Sequence, residues 1–394
     1  LMKNVNLISS SSQKKGRIYY QITKKYRKTK INLSFCKGFR YLFPKKNYFY
    51  FIKNDKKMKL TRIFVPIVAS LVLYSCASNN LSYEGKAFKT AYESIKADEL
   101  KKNLMVIASD EMEGRQTGSE GQKKAGVYMI DYYKNLGVSY PKALGSYYQK
   151  VPKEALKSRR GELPDSENIL AFIEGTEKPE EIIVISAHYD HVGTNNGVVY
   201  NGADDDGSGT VAVMEIAEAF QQAKKAGKGP KRSILFLHVT GEEHGLLGSK
   251  YYSENPVFDL KNTVANLNID MIGRSDKENE GKNYVYVIGS DMLSTELKKI
   301  NVAANKATQN LELNYKYDDP NDPMRLYYRS DHYNFAKHGI PVAFFFDGIH
   351  EDYHQPTDDP EKIDYPLLQK RAQLVFATAW ELANRKERIV VDKK

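Results

Sequence analysis

Four short apolar runs in this chain lead into His, Asp and Glu side chains, the types able to bind metals, and that pairing constrains the fold more than any other feature. Ile182–Ser186 leads into A-H-Y-D-H, which carries His188 and Asp190. Ile234–Val239 leads into T-G-E-E-H, with Glu242 and Glu243. Val264–Ile269 ends at Asp270 in N-I-D-M-I-G, and Val342–Phe346 precedes His354 in E-D-Y-H-Q-P-T-D-D. A fifth motif, N-G-A-D-D-D-G-S-G at 201–209, fills the loop after the first run. Such runs are typical of buried strands. Ile169–Ile173 and Tyr284–Ile288 add two more, and helix-type spacing marks Ala97–Asp110, Gly121–Leu136, Gly209–Gln222, Leu246–Ser253, Leu293–Ala307 and Tyr365–Asn384. In the second of these helices Val127, Ile130 and Tyr133 are expected on one side. Strands alternating with helices predict an α/β fold, a mostly parallel mixed central sheet flanked by helices on both faces. In such a sheet ligands bind outside the carboxyl ends of the strands, so the five motifs would converge on one crevice.

Charge is divided sharply along the chain. The net charge is +10, but residues 1–57 carry 16 Lys and Arg against the single acid Asp55. From Cys76 onward the balance is −7, so the body lacks the basic footprint of a nucleic-acid-binding protein, and no nucleic-acid partner is expected. Cys36 and Cys76 are the two cysteines. A disulfide framework, a thiolate-held zinc and a thiol nucleophile are therefore excluded from the body, and a metal there must be held by His and carboxylates, the ligand set of open catalytic sites.

Residues 58–75 read as a secretory signal: Lys59 and Arg62, an apolar run Ile63–Leu73, then Ser75 before Cys76. The run is too short to span a bilayer. The ending L-Y-S-C resembles the lipobox of bacterial lipoproteins, which makes Cys76 the expected lipidation site and the location extracytoplasmic, anchored to a membrane by that lipid. Residues 1–57 would then be an upstream extension outside the working protein, residues 76–96 a polar tether, and residues 97–388 one catalytic domain.

The residue types define the chemistry available. Imidazoles and carboxylates suit divalent metals, zinc above all, and a carboxylate shared between two metals would set them about 3.5–4 Å apart, close enough to share a hydroxide of lowered pKa. One of Asp204, Asp205 and Asp206 can bridge, and of the adjacent Glu242 and Glu243 one can bind metal while the other serves as general base. Asp190, two residues past His188, is placed to accept the second ring N–H of that histidine.

The set H-x-D, G-A-D-D-D-G-S-G, G-E-E, N-x-D-M and Y-H-Q-P-T-D, with the segment L-M-V-I-A-S-D-E-M-E-G-R-Q-T-G-S-E-G at 104–121, resembles the M28 family of zinc peptidases, chiefly bacterial aminopeptidases with two zinc ions. The resemblance implies the zinc aminopeptidase fold, a phosphorylase/hydrolase-like architecture. It also implies His188 and Asp270 on one zinc, Glu243 and His354 on the other, Asp205 bridging and Glu242 as the base. A carbonyl-polarising tyrosine would be Tyr327 or Tyr328. The implied activity is hydrolysis of N-terminal residues from peptides through a metal-bridging hydroxide.

The competing readings are a glutaminyl cyclase on the same fold, an M20-like carboxypeptidase or deacylase, and a binding protein that has lost its metals. A cyclase pocket is lined with tryptophan, and this chain has only Trp380, in its last helix. His191, His244 and His332 have no ligand role in the family pattern, His338 and His350 read as loop residues, and His238 reads as a core histidine.

Overall fold

A computed structural model describes residues 83–158, 161–319 and 321–393. The upstream extension, the signal segment and Cys76 lie outside the described residues. Within them the chain runs α1 (Lys86–Ser94), α2 (Ala97–Ile107), α3 (Glu120–Leu136), β1 (Tyr148–Val151), β2 (Ser166–Ile173), β3 (Lys178–His188), α4 (Gly209–Lys225) and β4 (Arg232–Val239). It continues with α5 (Leu247–Glu254), β5 (Thr263–Ile269), β6 (Tyr284–Ile288), α6 (Thr295–Ala307), β7 (Glu312–Asn314), α7 (Tyr333–Ala336), β8 (Val342–Phe346) and α8 (Tyr365–Asn384).

The eight strands form one sheet in the order β1-β2-β4-β3-β5-β8-β6-β7. Its middle, β4-β3-β5-β8, is parallel throughout. The antiparallel pairs sit outside it, with β1 and β2 at one edge and β6 joining β8 at the other. A centre covered on both faces explains why its strands read as unbroken apolar runs.

Side chains alternate between the two faces. Ile183 and Ile185 of β3 point into the larger core with α1, α2, α3, α4, α6 and α8, whereas Ile182 and Val184 point into a smaller core with α5 and α7. Local signals set the helix ends. Ser119 accepts from the Gln122 N–H at the start of α3, which ends at Gly137 in the left-handed conformation. Asp364 accepts from the Leu367 N–H to begin α8.

Two expectations need correction. Residues 86–94, read from sequence as part of a tether, form α1, whose Phe88 and Ala91 are buried. Phe88 packs against Phe376 and Trp380, and Trp380 also stacks on Phe220, so the lone tryptophan is a core residue. In α3 Val127 faces solvent, while the buried stripe runs through Gln122, Ala125, Met129, Ile130 and Tyr133. Gly126 belongs to that stripe, with Cδ1 of Ile169 in β2 packed so closely over it that an added methyl group would press on it. Among the described residues no helix is long and apolar enough to cross a membrane.

Candidate metal centre

The carboxyl ends of β3, β4, β5 and β8 lie side by side, and the predicted site residues gather there. His188 is the last residue of β3, Asp204–Asp206 lie in the turn before α4, Glu242 and Glu243 follow β4, Asp270 follows β5, and His354 follows β8. His188 Nε2 lies 3.2 Å from Asp205 Oδ1 and 3.6 Å from Asp270 Oδ1. His354 Nε2 lies 2.9 Å from Asp205 Oδ2 and 3.0 Å from Glu243 Oε2. The two oxygens of Asp205 therefore face two separate groups of donors, one on each side.

These contacts are not hydrogen bonds. His188 Nε2, Asp205 Oδ2 and Glu243 Oε1 are buried without an aligned hydrogen-bond partner. Buried polar atoms are normally paired, so a crowd of close but unaligned nitrogens and oxygens fits a set of ligands around divalent cations. The electrostatics agree with that fit. Burial works against the charge on Asp205, yet His188, His354 and His191 hold its carboxyl well below the usual range. Glu243 is brought down to about 2 against burial and the Asp205 charge, through His191 and His354. His354 is raised to about 10 against burial, by contact with Asp205 and Glu243. Glu242 is pushed well above the ordinary carboxylate range, by burial first and then by the nearby Asp270, Asp331 and Glu243, with His188 opposing.

A second set of hydrogen bonds holds these side chains in place. Ser330 donates to Asp270 Oδ2 at 2.6 Å and accepts from Asn268 Nδ2 at 2.8 Å. Ser186 donates to Asn268 Oδ1 at 2.7 Å and accepts from Asn266 at 2.8 Å. Asp358, the first Asp of T-D-D, accepts from the Asp204 and Asp205 amides at 3.0 and 3.1 Å. His350 donates from Nε2 to Asp204 Oδ2 at 3.1 Å while its Nδ1 accepts from the Asp352 N–H at 3.2 Å. Sequence spacing gave Asp358 and His350 no role, and their partners are about 150 residues away.

Two expected roles change. His188 Nδ1 donates to the main-chain carbonyl of Asp190 at 3.0 Å, and the Asp190 carboxylate is 3.9 Å away. That carboxylate instead accepts from Thr117 at 2.7 Å and from the Glu242 N–H at 3.2 Å, tying the Glu242 loop to the His188 loop. The tyrosine of the cleft is Tyr353, stacked on His354 at 4.0 Å between ring centres. Tyr327 packs against His332, Tyr333 and Gly289, and Tyr328 is exposed with Arg325 over its ring.

His238 is fully buried beside Tyr133, with burial pushing it down to about 3, as a core histidine requires. His332 is likewise buried, stacked on Phe344. Beside Asp205, Glu242 and Asp270 a cleft opens that is lined by Met271, Leu326, Phe344, Phe346, Ile349 and Tyr353, with Arg329 at its side.

Known proteins resemble this chain in sequence and in fold. A probable leucine aminopeptidase of Arthroderma benhamiae is 32% identical over 222 residues, which is 55% of this chain and 57% of the relative. Aminopeptidase YwaD of Bacillus subtilis is 30% identical over 250 residues, 58% of this chain and 47% of the relative. The chain thus spans about half the length of the curated relatives it matches. Among solved structures, LapB of Legionella pneumophila superposes with a TM-score of 0.61 at 19% identity, covering 77% of this chain and 76% of that one. Glutaminyl cyclase of Porphyromonas gingivalis superposes with a TM-score of 0.55 at 20% identity, covering 72% and 97%. The fold is therefore that of the zinc aminopeptidases. The model of Peptidase family M28 matches residues 168–379, more than half of the sequence, a span that holds His188, Asp205, Glu242, Glu243, Asp270 and His354, and the chain belongs to that family.

Proposed function

We propose that the protein is a zinc-dependent aminopeptidase that removes apolar residues from the N-termini of peptides. The observation that carries this reading is the Asp205 carboxylate, whose two oxygens face separate His and carboxylate groups with no aligned hydrogen bond between them. His188, Asp270 and Asp205 would hold one divalent ion, and Glu243, His354 and Asp205 the other. A bound pair of such ions supplies Lewis acidity and water of lowered pKa.

The protein's own groups supply the rest. Glu242 takes a proton from the attacking water on its carboxylate and returns it to the leaving amine. Burial and the surrounding carboxylates keep the Tyr353 hydroxyl protonated, so it remains a hydrogen-bond donor at the cleft. The apolar lining by Met271, Leu326, Phe344, Phe346 and Ile349 suits an apolar first side chain.

A glutaminyl cyclase is the second reading, supported by the Porphyromonas gingivalis neighbour. The position of Trp380 in the core, away from the cleft, favours the peptidase. The L-Y-S-C sequence supports lipid attachment at Cys76 and an extracytoplasmic location at a membrane.

The test is the full chain with zinc and a mixture of short peptides, each free and N-acetylated, followed by mass spectrometry. Stepwise loss of apolar first residues from the free peptides alone is expected. Loss of ammonia from N-terminal Gln without cleavage would replace the reading with a cyclase, and cleavage of acetylated peptides would rule out an aminopeptidase.

A further inference from the structure

His191, the residue after Asp190, has no part in the ligand set assigned above. Its ring is completely buried and fixed on two sides. The His191 backbone N–H donates to the Arg115 carbonyl at 3.1 Å, and the ring lies so close to Gly202 that a Cβ there would come within 2.5 Å of ring carbons. Only glycine fits at Gly202, which has φ +54°.

So clamped, the ring places Nδ1 2.9 Å from Glu243 Oε1 and 3.8 Å from Asp205 Oδ2. Neither contact is an aligned hydrogen bond, and both ring nitrogens are buried without one. His188 Nε2 shows the same combination, with carboxylate oxygens at 3.2 and 3.6 Å and no aligned bond to either. An imidazole left in this state is costly to bury unless something else takes its lone pair. His191, Asp205 and Glu243 each offer one atom within 4.8 Å of the others, as His188, Glu242 and Asp270 do.

We infer that His191 is a further metal ligand, through Nδ1, for the cation held by Glu243 and His354. The inference rests on the metallopeptidase reading. It makes the two positions unequal. The Glu243 side has four protein ligands, His191, Glu243, His354 and Asp205, and the His188 side has three. A closed four-ligand set is the arrangement of tightly held ions, and a three-ligand set leaves a position open. The Glu243 side therefore fills first, and the His188 side, next to Glu242, exchanges more readily.

The test is titration of the metal-free full chain with zinc against a chromophoric chelator, together with the visible spectrum of the cobalt-loaded protein. Wild type should take up two ions in two steps. His191→Ala and His191→Asn should each weaken the tighter step by at least about tenfold, leave the weaker step unchanged and alter the cobalt spectrum of the tighter site. Unchanged affinities in His191→Ala would overturn the inference. Wild-type affinity in His191→Asn would overturn it as well, because an amide N–H in place of Nδ1–H would make His191 a hydrogen-bond donor to Glu243. If the alanine variant does not fold without metal, as judged by circular dichroism, the asparagine variant and its cobalt spectrum decide. Wild type that binds no zinc would instead remove the metallopeptidase reading itself.

Discussion

Asp204 and Asp206 are fully paired, and Asp205 between them is not. Asp204 accepts from the Gly273 amide at 2.6 Å and from His350 at 3.1 Å. Asp206 accepts from the amides of Gly209, Met271 and His188 at 2.9, 3.1 and 3.2 Å. Asp205 has three histidines within 3.8 Å and no aligned hydrogen bond from any of them. All three carboxylates are buried, so exposure does not distinguish them. What separates Asp205 from its neighbours is whether the protein itself has used the lone pairs.

The largest expected effects fall on the unpaired layer. Asp205→Asn should abolish retention of both ions in dialysed protein, measured by elemental analysis, and activity should vanish with them. Glu242→Gln should lower kcat on the order of 10²–10⁴-fold with both ions retained. Equal metal loss in the two variants would erase the proposed distinction between a bridging ligand and a base.

The paired layer should respond in stability. His350→Ala leaves Asp204 Oδ2 without its buried donor and should cost about 1–3 kcal/mol in urea unfolding of the metal-free chain, with two ions still bound when zinc is added. Loss of metal as complete as in Asp205→Asn would place His350 in the ligand layer.

The smallest effect lies away from the centre, at Glu215 on α4. Its carboxylate accepts from Asn103 at 3.0 Å and Tyr132 at 2.9 Å, and burial raises it to about 8 from an ordinary 4.5. The folded state then keeps a proton that the unfolded chain has released, so this group's contribution to stability falls as pH rises from about 4.5 to about 8. Glu215→Gln should unfold within about 1 kcal/mol of wild type at pH 5 and be the more stable of the two at pH 8. Parallel stability curves for the two proteins across that range would show that Glu215 is ionised in the folded state.

The contrast also explains what could be read from sequence. His188, Asp205, Glu242, Glu243, Asp270 and His354 were legible because each lies beside an apolar run or a glycine-rich turn, and strand order brings such places together. The central strands were legible for the same reason, since burial on both faces leaves a continuous apolar signature. The supporting layer was not, because its bonds join segments far apart in sequence: Asp358 binds amides 153 and 154 residues away, and His350 reaches Asp204 across 146. Tyr353 was passed over for Tyr327 and Tyr328 because the path of the 318–329 loop decides which aromatic ring reaches the cleft. Helix α1 carries helix-type spacing, with Ala87, Phe88, Ala91 and Tyr92 toward the core, but it is only nine residues long and follows a polar Ser/Asn-rich stretch whose tether reading was carried over it.

The row of amides and hydroxyls across β3 and β5 runs in one direction only. Asn266 donates to Ser186, Ser186 to Asn268, Asn268 to Ser330, and Ser330 to Asp270 Oδ2. Each hydroxyl has one proton and the carboxylate at the end accepts one, so the polarity of the whole row is fixed by its last member and cannot reverse locally. It ends by occupying one oxygen of Asp270 and leaving the other, Oδ1, turned toward His188. Two asparagines and two serines beneath the floor of the cleft thereby make a two-handed carboxylate act as a one-handed one.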